Sequence, residues 1–370
     1  MPRRTHASSE MRWLAVLGAS MLLAACAGDD GATTPSPTAL ASTATAVATS
    51  TTSPSSSTST STTTASTTTT AAATTTTVPL GASIGDLLDL GRPVVLAHTG
   101  GEDAYPGSTM YAFAKSVADG VDVLDFNVLL SSDGVLVVQH DETVDRQTNA
   151  AGDVATMTFD QLHALDNAYW FADGGVDHER PAADYIYRGV RTGAKPPPDG
   201  YTADDFAIPS LDELIARFPT MPLNIEIKGS GAPAIAAAQA LADVLRSTGR
   251  EEASVVTSFD DAVVAAFHEA APEVELSPGL DASTAFVLGG TPLPEGMRIL
   301  QLPPEYQGIP VLTPPTVAAA HAAGYVIWVW PNTAESAALY DELLAQGMDG
   351  LNANFPAEAV AAVERFAPGS

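Results

Sequence analysis

Short β-rich runs recur along this chain at 93–97, 122–128, 135–139, 223–227, 254–257, 274–277, 298–302, 325–330 and 349–352, and helical patterns separate most of them. Strand–helix alternation over such a length restricts the fold to an α/β class, either a parallel barrel or a doubly wound sheet. Nine runs for eight barrel positions leave one surplus, expected to be a hairpin piece. Helix starts are legible in the capping boxes Thr158-x-x-Gln161 and Ser210-x-x-Glu213. Pro315, an Ala-rich stretch and Gly324 give another helix its start and stop. Segment 171–207 carries Gly174-Gly175 and Pro196-Pro197-Pro198 with little periodicity, so an irregular insertion is expected there, serving as a substrate loop or lid or as surface decoration.

The N-terminal 79 residues do not belong to that pattern. Arg3, Arg4 and Arg12 precede the apolar run Trp13–Leu23, which is too short to span a bilayer and reads as an export signal over residues 1–26. Leu23-Ala24-Ala25-Cys26 resembles a lipobox, which implies acylation of Cys26 and anchoring at the outer face of a bacterial cell membrane. Cys26 is the sole cysteine, so no intrachain disulfide can form. Residues 27–79 are rich in Ser, Thr and Ala, too poor in large apolar side chains to offset ordering entropy, and are expected to be a disordered tether. Residues 80–370 suffice for one large barrel domain. The net charge of −28 repels nucleic acid and favours cations such as Ca²⁺ or Mg²⁺.

Polar side chains gather where the apolar runs end, as at the active-site mouth of a (β/α) barrel. His98 closes one run and His140 another. Residues at i and i+2 share a strand face, which aligns Asp125 with Asn127, and Asn224 with Glu226 and Lys228. Asp125, Asn127 and Glu226 then converge as oxygen ligands for a hard divalent cation, weakened because Asn127 carries no charge. Two imidazoles, with an ordinary pKa near ~6.5, suit a general acid and a general base. Asp141 is placed either to orient an imidazole or to cap the following turn, and the cap is the favoured reading. His6, His163, His178, His268 and His321 are set aside.

These residues carry a resemblance. His98-Thr99-Gly100, Pro106-Gly107-Ser108-Thr109, Asp125-Phe126-Asn127, His140-Asp141 and Asp145-Arg146-Gln147-Thr148-Asn149 resemble the H-R-G, P-E-N-T, E-x-D, H-D and D-R-x-T-N motifs of the glycerophosphodiester phosphodiesterase family. Asn224-Ile225-Glu226-Ile227-Lys228, Thr257-Ser258-Phe259-Asp260 and Gly347-Met348-Asp349-Gly350 extend it across most of residues 92–360. The resemblance implies a PLC-like phosphodiesterase TIM barrel, (β/α)8, that hydrolyses glycerophosphodiesters to glycerol phosphate and an alcohol. It makes His98 and His140 the acid–base pair and gives Asp125, Asn127 and Glu226 the metal positions, for Ca²⁺ or Mg²⁺. Lys228 and position 99 face the substrate, and Trp328 and Trp330 wall the pocket.

The departures from the family pattern concern charge. Thr99 replaces an arginine, Gly107 a glutamate, Ser108 an asparagine, Asp125 a glutamate and Asn127 an aspartate; Asn354 stands where the family often has Asp. Glu102 and Asp103, just past His98, are placed to compensate. The losses keep two alternatives open: a non-catalytic lipoprotein that binds phosphodiesters or polyols, and a phospholipase D-like relative acting on choline lipids.

Overall fold

In a computed structural model of the chain, the described residues are 80–366. The signal segment 1–26, Cys26 and the tether 27–79 lie outside them. Eight parallel strands form a nearly closed barrel. They are β1 (Val94–Ala97), β2 (Val123–Leu130), β3 (Leu223–Ile227), β4 (Ser254–Thr257), β5 (Glu275–Leu276), β6 (Ile299–Leu302), β7 (Val326–Val329) and β8 (Gly350–Ala353). The order is β5-β4-β3-β2-β1-β8-β7-β6, and no ladder joins β5 to β6 among the described residues. A barrel helix precedes each next strand and one follows the last: α1 (Met110–Asp119), α2 (Leu211–Arg217), α3 (Gly231–Thr248), α4 (Asp261–Ala270), α5 (Leu280–Gly289), α6 (Pro314–Ala322), α7 (Ala337–Ala345) and α8 (Pro356–Phe366), with a further short helix, Phe159–His163, between β2 and α2. The capping boxes at Thr158 and Ser210 both form, and Thr313 caps the helix whose first residue is Pro314.

Strand parity sorts the side chains into two cores. Outward residues such as Val95, Ala97, Leu124, Phe126, Ile225 and Ile327 pack under the helices. Inward residues Val94, Leu96, Val123, Val255, Ile299 and Trp328 fill the lower lumen together with Ile84 and Leu87. The last two come from a short helix, Ile84–Leu88, started by a Ser83–Asp86 capping box, which closes the N-terminal end of the barrel. One rung higher the lumen turns polar. Asn224 donates to Asp125 and exchanges two amide hydrogen bonds of 2.9 Å with Gln301. Higher still, strand register sets Asn127 beside Glu226.

The surplus run is 135–139. Its strand, Leu136–Val138, runs antiparallel to β2, pairing Val128 with Val138 and Leu130 with Leu136. His140 therefore closes no barrel strand, and the expectation that both histidines end such strands is corrected. A returning hairpin arm delivers it instead, with the Gln139 N–H donating to Asn127 O at 3.1 Å.

The insertion holds one minimal hairpin, Phe171–Ala172 with Gly175–Val176, and a 3₁₀ turn at Ala203–Phe206. Aromatic rings fix it to the barrel: Tyr111 of α1 stacks on Phe206 at 4.8 Å and meets Tyr187 and Tyr201 at 5.1 and 4.6 Å. It also borders the mouth, since His178 Nε2 lies 2.8 Å from the Arg146 carbonyl oxygen. No helix among the described residues is long and apolar enough to cross a membrane.

Candidate active site

Behind β1 the chain turns sharply through Thr99, Gly100 and Gly101, all with positive φ. Gly101 is needed there, because a Cβ would lie 2.5 Å from the Pro356 ring. This turn leaves His98 at the mouth, where its Nδ1 lies 2.7 Å from Asn354 Oδ1. The Asn354 amide is oriented by Asp103, whose Oδ2 accepts from Nδ2 at 2.9 Å. Its oxygen thus faces the ring, and Nδ1 carries the proton. His140 Nδ1 donates to Asp141 Oδ1 at 2.6 Å, and Arg146 Nε donates to the other oxygen of Asp141 at 2.6 Å. Asp141 therefore orients the imidazole, correcting its reading as a turn cap. The two imidazoles meet edge to face, with ring centroids 5.8 Å apart.

Their electrostatic settings differ. Burial works to lower the His98 pKa, but the carboxylates of Glu102 and Asp125 outweigh it and the net direction is upward. His140 is pushed down by burial and by the Lys228 ammonium. Burial raises Asp125 above the ordinary carboxylate range, and raises Glu335, whose carboxylate accepts from Tyr340 and from the Asn354 N–H, to about 7.

Lys228 Nζ and Asn127 Nδ2 both donate to Glu226 Oε2, at 3.0 and 2.9 Å. Asn127 Oδ1 and Asn352 Oδ1 are buried without a partner. Among the described residues no three His, Cys, Asp or Glu side chains form a metal cluster. The donor set is instead two carboxylates, Asp125 and Glu226, with spare amide oxygens beside them. An oxygen-only set of this kind fits a hard divalent cation.

Two assigned substrate contacts do not reach the mouth. Thr99 is fully buried, and a Cβ on Gly107 would lie 2.8 Å from its hydroxyl. Trp328 belongs to the lumen floor and is 1% exposed. Trp330, two residues on, stands at the rim against Phe259 with ring centroids 6.0 Å apart, and Lys228 Nζ lies 6.0 Å from the Phe259 ring centre. The partners that sequence reasoning missed are Arg146, Asn352 and Glu335. Asn352 shares the inward parity of Leu96, its register partner on β1, a signal that was available; Arg146 stands in the D-R-x-T-N motif but had no role assigned to it, and Glu335 lies in an irregular segment with no period to reveal it.

Residues 98–358 match the model of the glycerophosphoryl diester phosphodiesterase family. The chain belongs to that family. It is 28% identical over 274 residues to the glycerophosphodiester phosphodiesterase of Bacillus altitudinis, covering 72% of this chain and 96% of the relative. A human lysophospholipase D is 28% identical over 183 residues, covering 49% of each chain. Among solved structures, an Oleispira antarctica phosphodiesterase in complex with the product sn-glycerol-3-phosphate superposes with a TM-score of 0.57 at 20% identity, covering 75% of this chain and 99% of that one. Family membership makes the chain a phosphoric diester hydrolase with a phosphodiesterase TIM barrel.

Proposed function

We propose that this barrel hydrolyses glycerophosphodiesters to glycerol phosphate and an alcohol, using His98 as general acid and His140 as general base. The observation that carries the reading is the paired arrangement of the imidazoles. Each has Nδ1 tied to a fixed partner, while no hydrogen bond from the described residues engages either Nε2. His140 Nε2 takes the proton of a substrate glycerol hydroxyl as its oxygen bonds to phosphorus. His98 Nε2 gives its proton to the departing alcohol oxygen, leaving a cyclic phosphate. Roles then reverse: His98 deprotonates a water that attacks phosphorus, and His140 returns its proton to the ring oxygen as the ring opens.

Asp125, Glu226 and the Asn127 oxygen would hold a divalent cation, Ca²⁺ or Mg²⁺, which supplies neutralisation of the phosphate charge when bound. Lys228 places a positive charge on the same side. The rim aromatics Phe259 and Trp330 offer an apolar wall to the alcohol group. Together with Cys26 as a lipid anchor, this describes an exported enzyme acting on small or lipid-derived phosphodiesters at the outer face of the bacterial cell membrane. The second reading, a binding protein without turnover, draws on the buried, uncharged Thr99 and the neutral Asn127.

Purified protein should release glycerol phosphate from glycerophosphodiesters and lose that activity in EDTA. His98→Ala and His140→Ala should each lower kcat by roughly 10²–10⁴-fold. Turnover equal to the parent in both variants would overturn the mechanism, and no turnover by the parent across a panel of phosphodiesters and divalent cations would favour the binding protein.

A further inference from the structure

Positions 99, 102 and 107 share one small pocket behind His98. A Cβ added at Gly107 would lie 2.8 Å from the Glu102 Cβ and 2.8 Å from the Thr99 hydroxyl. The family pattern puts an arginine at 99 and a glutamate at 107; here both charges are gone together, and Glu102 enters the space from the other side. Its side chain is 16% exposed. Oε1 lies 3.5 Å from His98 Nδ1, and Oε2 lies 3.4 Å from both terminal nitrogens of Arg146. Arg146 in turn holds Asp141, which holds His140 Nδ1.

We propose that Glu102 is a positioning residue that joins the two histidines into one network, replacing the carboxylate absent from position 107. The proposal rests on the His98–His140 reading given above. The network runs Asn354–His98–Glu102–Arg146–Asp141–His140, by hydrogen bonds except between His98 and Glu102, where the link is a charge contact of 3.5 Å, and its middle members touch neither ring's Nε2. Asn354 alone could orient His98. What Glu102 adds is a tie between a ring on β1 and a ring on the hairpin arm, two supports that share no other charged link among the described residues. Its charge is kept by its neighbours: burial works to raise the Glu102 pKa, but His98 and Arg146 outweigh it and hold the net direction downward. A ring displaced by a fraction of an ångström from its reacting oxygen loses rate steeply while binding is little affected.

The test uses the full chain, with turnover measured on sn-glycero-3-phosphocholine and the imidazole Nδ1–H resonances followed by NMR. Glu102→Gln keeps the shape of the side chain and removes its charge. It should lower kcat by about 10–100-fold with KM within about threefold. It should also move the Nδ1–H resonance of His140, which residue 102 does not touch. Arg146→Gln should move that of His98 from the other end of the network. The double variant should lose no more than the worse single one, because both break one connection. Independent, multiplying effects, or an unmoved His140 resonance in folded Glu102→Gln, would overturn the proposal. The resonances decide it even if the parent hydrolyses no glycerophosphodiester, so failure of the activity reading shows separately. If Glu102→Gln does not fold, the Arg146→Gln resonance decides alone.

Discussion

His98 and His140 are the same side chain in opposite settings, and that asymmetry predicts a pH profile. His98, held up by Glu102 and Asp125 against its burial, keeps its proton above the ordinary value of 6.5; His140, pushed down by burial and Lys228, loses its proton below it. Between the two the pair is in the state the mechanism starts from. The log of kcat/KM should therefore rise on the acid side as His140 deprotonates and fall on the alkaline side as His98 does. Lys228→Met should move the acid limb to higher pH, because the ammonium that disfavours imidazolium is gone; a fixed limb would remove Lys228 as the cause. Asn127 carries a second residue-scale prediction. Asn127→Asp adds an anionic oxygen beside Glu226, and titration calorimetry should show Ca²⁺ or Mg²⁺ bound at least about tenfold more tightly; unchanged affinity would remove residue 127 from the cation site. Pairwise parity made Asp125, Asn127 and Glu226 legible in the sequence. Asp141 was misread because a turn cap and an imidazole partner have the same local spelling, and only the fold brings Arg146 to its far oxygen.

At the scale of elements, β7 separates what parity can tell from what it cannot. Trp328 and Trp330 share a strand face, yet one lies in the floor and the other at the rim. Period two gives the face of a residue but not its depth, which comes from what packs around it: Trp328 clusters with Ile84, Leu87 and Ile299. Trp328→Ala should destabilise the barrel by about 3–5 kcal/mol in denaturant unfolding. Trp330→Ala should cost less than about 1 kcal/mol and instead raise KM. A reversal of these two effects would contradict the placement. The hairpin arm shows the same limit. Leu136–Val138 is an apolar run like any barrel strand, and nothing in its composition states that it pairs antiparallel. What identifies it afterwards is the short Ser131–Val135 connection from β2, too brief for a parallel crossover, with Ser131 N–H donating to Val135 O at 2.9 Å.

For the molecule as a whole, strand–helix alternation was enough to reach the barrel, because strands buried on both faces need continuous apolar runs and helices between them. The insertion was not legible in that way. Its Tyr185, Tyr187, Tyr201 and Phe206 are held by ring contacts rather than by a repeating pattern, and Arg188 sits among Tyr169, Trp170 and Tyr185 at 4.3, 4.5 and 3.7 Å. The closed floor has a further meaning. Ile84 and Leu87 pack under Trp328, so among the described residues the foot of the barrel is filled and the reacting centre opens at the mouth. On the proposed route the alcohol must depart before water can take its place, and water then arrives along the line the alcohol left. Two successive in-line displacements, the first opposite the alcohol and the second opposite the ring oxygen, return phosphorus to its starting handedness, while the seal at the foot of the barrel makes alcohol and water pass in turn through its top.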